Sequence, residues 1–210
     1  MEGRGVIWRR LAQLYFGLVL CGFSMALQIE AALGLDPWDV FHQGLARRLG
    51  WSFGTVVIVV GAVVLLLWIP LRQRPGLGTV SNVVVIGLAV DASLAVLPTP
   101  RDFWARLLTL SLGIVLNGVA TGCYIGANFG PGPRDGLMTG LVRRTGGSVR
   151  VVRTGIELTV LATGWLLGGQ VGLGTVLYAI AIGPLVHVFL PLFTVRERAP
   201  GAGEQVLERG

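Results

Sequence analysis

Whatever chemistry this chain performs must come from a few ionisable side chains embedded in long apolar stretches. An ionised side chain at the centre of a lipid bilayer costs about 2.5–3.5 kcal/mol on insertion scales, so each one calls for a partner or a purpose. Glu157 is the deepest acid, and Arg153 precedes it by one helical turn. Two readings stand side by side: an i, i+4 ion pair that neutralises both, or a site for a proton, a cation or a cationic substrate group. Asp91 and His187 occupy equivalent positions in the third and sixth apolar stretches, on the outer and inner sides of the midplane respectively. A carboxylate and an imidazole flanking a pathway can relay protons; either can equally snorkel or pair with a neighbouring arginine. Glu30 sits at the far end of the first stretch, where it can face a groove or simply reach water.

Two short turns, Pro37-Trp38-Asp39 and Pro133-Arg134-Asp135, join a proline break to a carboxylate and a helix start. Unpaired N–H groups at such a start can hold an anion or substrate, and interrupted helices of this kind build transporter sites. A plain cap for an interfacial helix uses the same residues. Asp39 and Asp135 are therefore candidates alongside Glu157, Arg153, Asp91, His187 and Glu30. Nothing matches GxxxxGKS/T or HExxH, and the histidines are His42 and His187 alone. Cys21 and Cys123 lack CxxC spacing and fit buried small side chains. No catalytic residue, metal or cofactor is expected, and the chain is not expected to be an enzyme.

The elements that position these groups must be membrane helices. Of 210 residues 53% are hydrophobic and 13% charged, and mean hydropathy is +0.72, outside the range of ordinary soluble domains. Six windows can cross a hydrocarbon core: 11–33, 52–71, 76–97, 103–125, 148–168 and 172–194. All 17 basic residues are arginines, and all but Arg106, Arg150 and Arg153 fall outside these windows, where topology signals and anionic lipids account for them; nucleic acid is not an expected partner. Residues 37–49 are too short to span. Asp36 as N-cap, proline in the first turn, and Trp38, Phe41, Leu45 and Leu49 on one face predict an amphipathic half-helix, lying at the interface or dipping inward.

Shifting the numbering by 96 lays Gly17–Leu97 over Gly113–Phe193 without gaps, with roughly one position in three identical. GLGTV recurs at Gly76 and Gly172. Pro37, Asp39, Gly44, Arg47, Arg48, Gly50 and Ser52 meet Pro133, Asp135, Gly140, Arg143, Arg144, Gly146 and Ser148. Three spans per copy is an odd number, so the second copy enters the membrane from the opposite side. With the N-terminus in the cytoplasm, 13 arginines lie inside and 4 outside, as the positive-inside rule requires. The expected fold is an all-α membrane protein of about six transmembrane helices in two inverted three-helix repeats, each with a half-helix. Residues 1–10 form a cytoplasmic tail, 11–98 and 99–195 the repeats, and 196–210 a disordered cytoplasmic tail. Gly118, Gly122, Gly126 and Gly130 make an every-fourth stripe whose counterparts are Gly22, Ala26, Glu30 and Gly34. The stripes predict that the first and fourth spans cross on the pseudo-two-fold axis, with Glu30 facing a groove.

The strings from Ala31 to Asp39, GLARRLGWSFGT, PGLGT, GPRDGLM, RTGIE and GWLLGG resemble the YczE family of bacterial integral membrane proteins, related in character to the YitT-type proteins. The resemblance runs from the first span to Leu192. It implies an uncharacterised multi-pass protein of the bacterial inner membrane, and for some members an accessory role in secondary-metabolite production; it transfers no residue roles. The leading expectation is a small secondary transporter or permeator for an unknown solute or ion, with its path between the repeats. The alternative is a non-transporting scaffold supporting another enzyme system. Its partners are the lipid bilayer and that solute, with a homodimer left open.

Overall fold

Where the chain stops being helical governs this fold, because each stop inside an apolar setting frees backbone groups that need new partners. The computed structural model describes residues 2–194; the expected C-terminal tail at 196–210 lies outside them. Among the described residues there are eight helices and no strand: α1 (Glu2–Ala31), α2 (Pro37–Leu49), α3 (Phe53–Trp68), α4 (Leu77–Leu94), α5 (Phe103–Gly126), α6 (Pro133–Thr145), α7 (Val149–Leu166) and α8 (Leu173–Phe193). Residues 2–10, expected as a tail, are the first turns of α1. α1, α4, α5 and α8 are long and apolar enough to cross a membrane, and α2 with α3, bent by 114°, makes a fifth, broken span. α3 is short at 16 residues, and α7 carries Arg150, Arg153 and Glu157.

The starts and stops recur at the 96-residue interval. Asp36, Ser52, Asp102 and Ser148 cap their helices through side-chain oxygens. α2 and α6 both start on proline and both end at a left-handed glycine, Gly50 and Gly146, each at φ 68°. The end of α1 is tied down by a residue of α5, and the reverse. Arg106 donates to the carbonyls of Ala31 and Ala32, and Arg10 to those of Ala127 and Asn128.

The GLGTV strings work in the same reciprocal way. Gly78 N donates to Phe129 O at 2.9 Å, and Gly174 N to Leu33 O at 2.8 Å, so each copy's last helix starts against the other copy's loop. The half-helices are exchanged as well. α2 packs on α7, where a Cβ on Gly164 would stand 2.4 Å from the Phe41 nitrogen, and α6 packs on α3, where Gly136 leaves room for the Trp68 ring.

α1 crosses α5 at the centre, but the glycine stripe does not make that crossing. The close approach is at Gly17, against Tyr124 and Cys123, and at Gly113, against Ser24 and Gln28. Gly118, Gly122 and Gly126 instead receive Leu185, Phe189 and Phe193 of α8, and Gly22 receives α4 at Ile86 and Ala89. Ala26 is fully buried in the α1 core. Gly130 and Gly34 lie beyond their helices at φ 117° and 111°, where the chain turns past Gly76 and Gly172. A four-residue glycine interval marks a close-packing face; it does not say which helix fills it.

One pairing is not reciprocated. α3 lies against α4, with Gly54 and Gly87 so close that a Cβ on Gly54 would be 2.0 Å from the Gly87 carbonyl oxygen. The corresponding helices α7 and α8 stand apart, and a Cβ on Gly183, the counterpart of Gly87, would meet nothing within 4 Å. Gly54 and Gly61 of α3 correspond to Arg150 and Glu157 of α7. Gly87→Ala is therefore expected to lower stability by about 1–3 kcal/mol through overpacking, whereas Gly183→Ala is neutral or slightly stabilising. Thermal unfolding of the two purified variants in detergent checks this, and equal losses would remove the asymmetry.

Candidate functional site

The first turns of α2 and α6 are brought together by side chains that neither copy could supply alone. Asp36, held before Pro37, accepts from the N–H groups of Trp38 at 2.9 Å and Asp39 at 3.1 Å, neutralising the positive start of α2. On the other turn, the Pro133 carbonyl takes the indole N–H of Trp68 at 3.1 Å, and the Pro131 carbonyl takes the hydroxyl of Thr79 at 2.8 Å. Arg134 reaches from α6 across to α2. Its guanidinium carbon lies 5.0 Å from the centre of the Trp38 ring, and its nitrogens lie 3.8 Å from Asp36 and 3.5 Å from Asp39. Those separations attract charge to charge but exceed hydrogen-bond length. The Asp39 carboxylate meets His42 Nδ1 at 3.1 Å, and the His42 ring is set edge-on against Phe53.

Around this cluster is a cavity of about 450 Å³ to which all eight helices contribute. Arg134 is 38% exposed within it, while Asp36 and Asp39 are buried at its edge. A hydrogen-bonded chain runs along another wall: Tyr178 donates to Asn117 at 3.1 Å, Asn117 to Ser24 at 3.0 Å, and Ser24 to the Cys21 carbonyl. Much of the remaining lining is aliphatic, including Val60, Ile86, Ile156 and Ile182. Such a chamber, with a few fixed polar groups on an apolar ground, suits a small solute.

The candidates named from sequence divide into two groups. Arg153 and Glu157 form their ion pair at 2.9 Å and line the cavity together, as does Asp135; Asp39 stands directly behind Arg134. The other three are elsewhere. Asp91 braces the start of α3, accepting from Gly54 N at 2.7 Å and pairing with the Ser52 hydroxyl. Glu30 is engaged by the Thr99 hydroxyl. His187 is exposed on α8. Among the described residues no group of three His, Cys, Asp or Glu side chains gathers to hold a metal ion.

Arg134, Trp38, His42, Asn117 and Tyr178 were not singled out from sequence. A signal was present: the two P-x-D turns differ at the middle position, Trp38 against Arg134, and the residues that differ are the ones that stack. The same alignment sets Asp36 against Gly132 and His42 against Met138. The copies have thus kept their frame and diverged where they face each other.

Comparison with known proteins is consistent in kind. Residues 8–191 match a family of unknown function, DUF6198. An uncharacterized protein of Haemophilus influenzae is 39% identical over 183 residues, covering 87% of this chain and 84% of its own length. The uncharacterized membrane protein YczE of Bacillus subtilis is 39% identical over 180 residues, 84% of each chain. YyaS of the same organism, also uncharacterized, is 26% identical over 84% of this chain and 90% of its own. No solved structure matches.

Removing the Arg134 charge leaves two buried carboxylates facing each other. Arg134→Met is expected to lower stability by about 2–3 kcal/mol, less than for a fully enclosed pair because the guanidinium is partly solvated. Adding Asp36→Asn, which keeps an oxygen for the cap and removes the charge, recovers part of that loss. Unfolding of the single and double variants in detergent measures it; no recovery would mean that carboxylate repulsion is not the cause.

Proposed function

The chain belongs to the DUF6198 family, a family of unknown function that its YczE relative marks as one of membrane proteins, and from that premise we propose that it is a small secondary transporter or permeator. The observation that carries this reading is the polar cavity where the half-helices of the two copies meet, closed between α3 and α4 and unclosed between α7 and α8. A membrane interior does not retain a cluster of Arg134, Asp36, Asp39 and Asp135 without a use for it.

In this reading the copies, residues 11–98 and 99–195, cross the inner membrane in opposite senses, with six spans made by α1, α3, α4, α5, α7 and α8. The half-helices α2 and α6 enter from opposite faces and start near the midplane. The N-terminus and the tail beyond Thr194 are cytoplasmic. The Gly54–Gly87 contact then seals the outer side, and the gap beside Arg153 and Glu157 leaves the inner side open. Exchanging which pair is closed moves a solute across. Asp91 contributes to the outer seal through its bonds to Gly54 and Ser52, and Glu30 and His187 lie outside the path.

The solute need not be identified for this to be tested. Proteoliposomes loaded with a bacterial metabolite extract are expected to lose at least one small polar solute faster than protein-free vesicles, by mass spectrometry of the external medium. Thr121→Trp, which fills the cavity from α5, abolishes that loss. If no solute leaves faster, the chain is a membrane accessory protein and the transport reading falls.

A further inference from the structure

Resting on the transport reading, we infer that the cavity takes a small aliphatic zwitterion, its ammonium group held at Asp135 and its carboxylate at Arg134. The two half-sites are built differently. In the first copy Asp39 is engaged by His42; in the second the histidine's place is taken by Met138, and Asp135 has no ion pair among the described residues. Three polar side-chain atoms converge beside Gly132 on the cavity wall. From the point a Cβ would occupy there, Asp135 Oδ2 is at 3.3 Å, the Tyr124 hydroxyl at 3.5 Å and the Asn82 amide nitrogen at 3.9 Å. An anionic oxygen, a phenol and an amide able to turn its oxygen inward make a suitable setting for a protonated amine.

Arg134 supplies the opposite end. Its guanidinium stacks on Trp38 and sits beyond hydrogen-bond length from both neighbouring carboxylates, so its N–H groups remain available to a bidentate acceptor in the cavity. Arg153 and Glu157 satisfy each other and add no net charge. A simple anion at Arg134 also meets the Asp135 carboxylate, and a simple cation at Asp135 also meets the Arg134 guanidinium. A molecule carrying both charges answers both, and the aliphatic wall takes a branched side chain.

The full chain, purified in detergent, is tested by calorimetric titration with leucine and with its two single-charge analogues, 3-methylbutylamine and 4-methylpentanoate. Leucine is expected to bind about tenfold or more tightly than either analogue, as loss of one charge-assisted contact implies. Asp135→Asn weakens leucine and the amine to a similar degree and does not weaken the acid. Gly132→Ala, at φ −62° and ψ 158° where alanine is unstrained, sets a methyl 3.3 Å from Asp135 Oδ2 and weakens leucine, with the unfolding temperature measured alongside to show that the variant is folded. Failure of leucine to bind, equal binding of all three probes, or unchanged leucine binding in both variants overturns the inference. Solute loss from loaded vesicles without any preference for leucine keeps the transport reading and removes this one. Leucine binding without flux does the reverse.

Discussion

An interrupted helix in an apolar environment must find partners for the backbone groups it frees, and here several of those partners come from the other copy of the repeat. Arg106 serves the end of α1 and Arg10 the end of α5. Gln170 donates to the Ala32 carbonyl at 2.7 Å while its own backbone N–H is taken by Gln43. Trp68 and Thr79 serve the turn before α6. The side-chain caps Asp36, Ser52, Asp102 and Ser148 act within their own copies. The two halves are consequently interlocked rather than docked, since removing either would leave broken helix ends unpaired in the other.

Interlocking also explains where the copies were free to diverge. Some positions that satisfy the partner's backbone, the GLGTV strings and the Arg10 and Arg106 pair, are identical in both, while Trp68 and Gln170 stand against Gly164 and Arg74. Positions that face the central space differ: Asp36 and Gly132, Trp38 and Arg134, His42 and Met138, Asn82 and Tyr178. A chamber lined by two identical sets of charges would repel itself across the axis. Substituting an arginine for the tryptophan in one copy places a cation against an aromatic face and beside two carboxylates instead.

The organisation of the chain was legible because it rests on punctuation that survives in a one-dimensional record. The prolines at 37 and 133, the caps and the closing glycines fixed the half-helices, and all six apolar windows contain a helix. The packing partners were less legible. The stripe at Gly118, Gly122 and Gly126 announces a close neighbour, but the period is the same whether that neighbour is α1 or α8. Arg10 and Arg106 read as topology signals because their acceptors, more than 70 residues away, leave no local trace. Asp91 and His187 drew attention as equivalent ionisable residues, yet one braces a helix start and the other is exposed, since equivalence in the repeat fixes depth and not surroundings. The site itself needed the two turns in one place, which the spacing of Pro37 and Pro133 cannot show.

The unequal helix pairs follow from the same divergence. Between α3 and α4 the facing residues include Gly54, Gly61 and Gly87, and the one charge at that contact, Asp91, is already met by the Gly54 N–H and the Ser52 hydroxyl. On α7 the corresponding positions hold Arg150 and Glu157, and Glu157 is already paired with Arg153, the two side chains being 39% and 60% exposed. Bringing α8 against that face would strip water from an ion pair, and desolvation of paired charges in a low-dielectric interior often exceeds what their attraction returns. On the transport reading proposed above, the glycine side closes at little cost, and the charged side stays open until something in the cavity offsets the desolvation. On that same reading a solute that contacts Arg134 and Asp135 lies beside that face, so its binding is placed to influence which side of the chamber is shut.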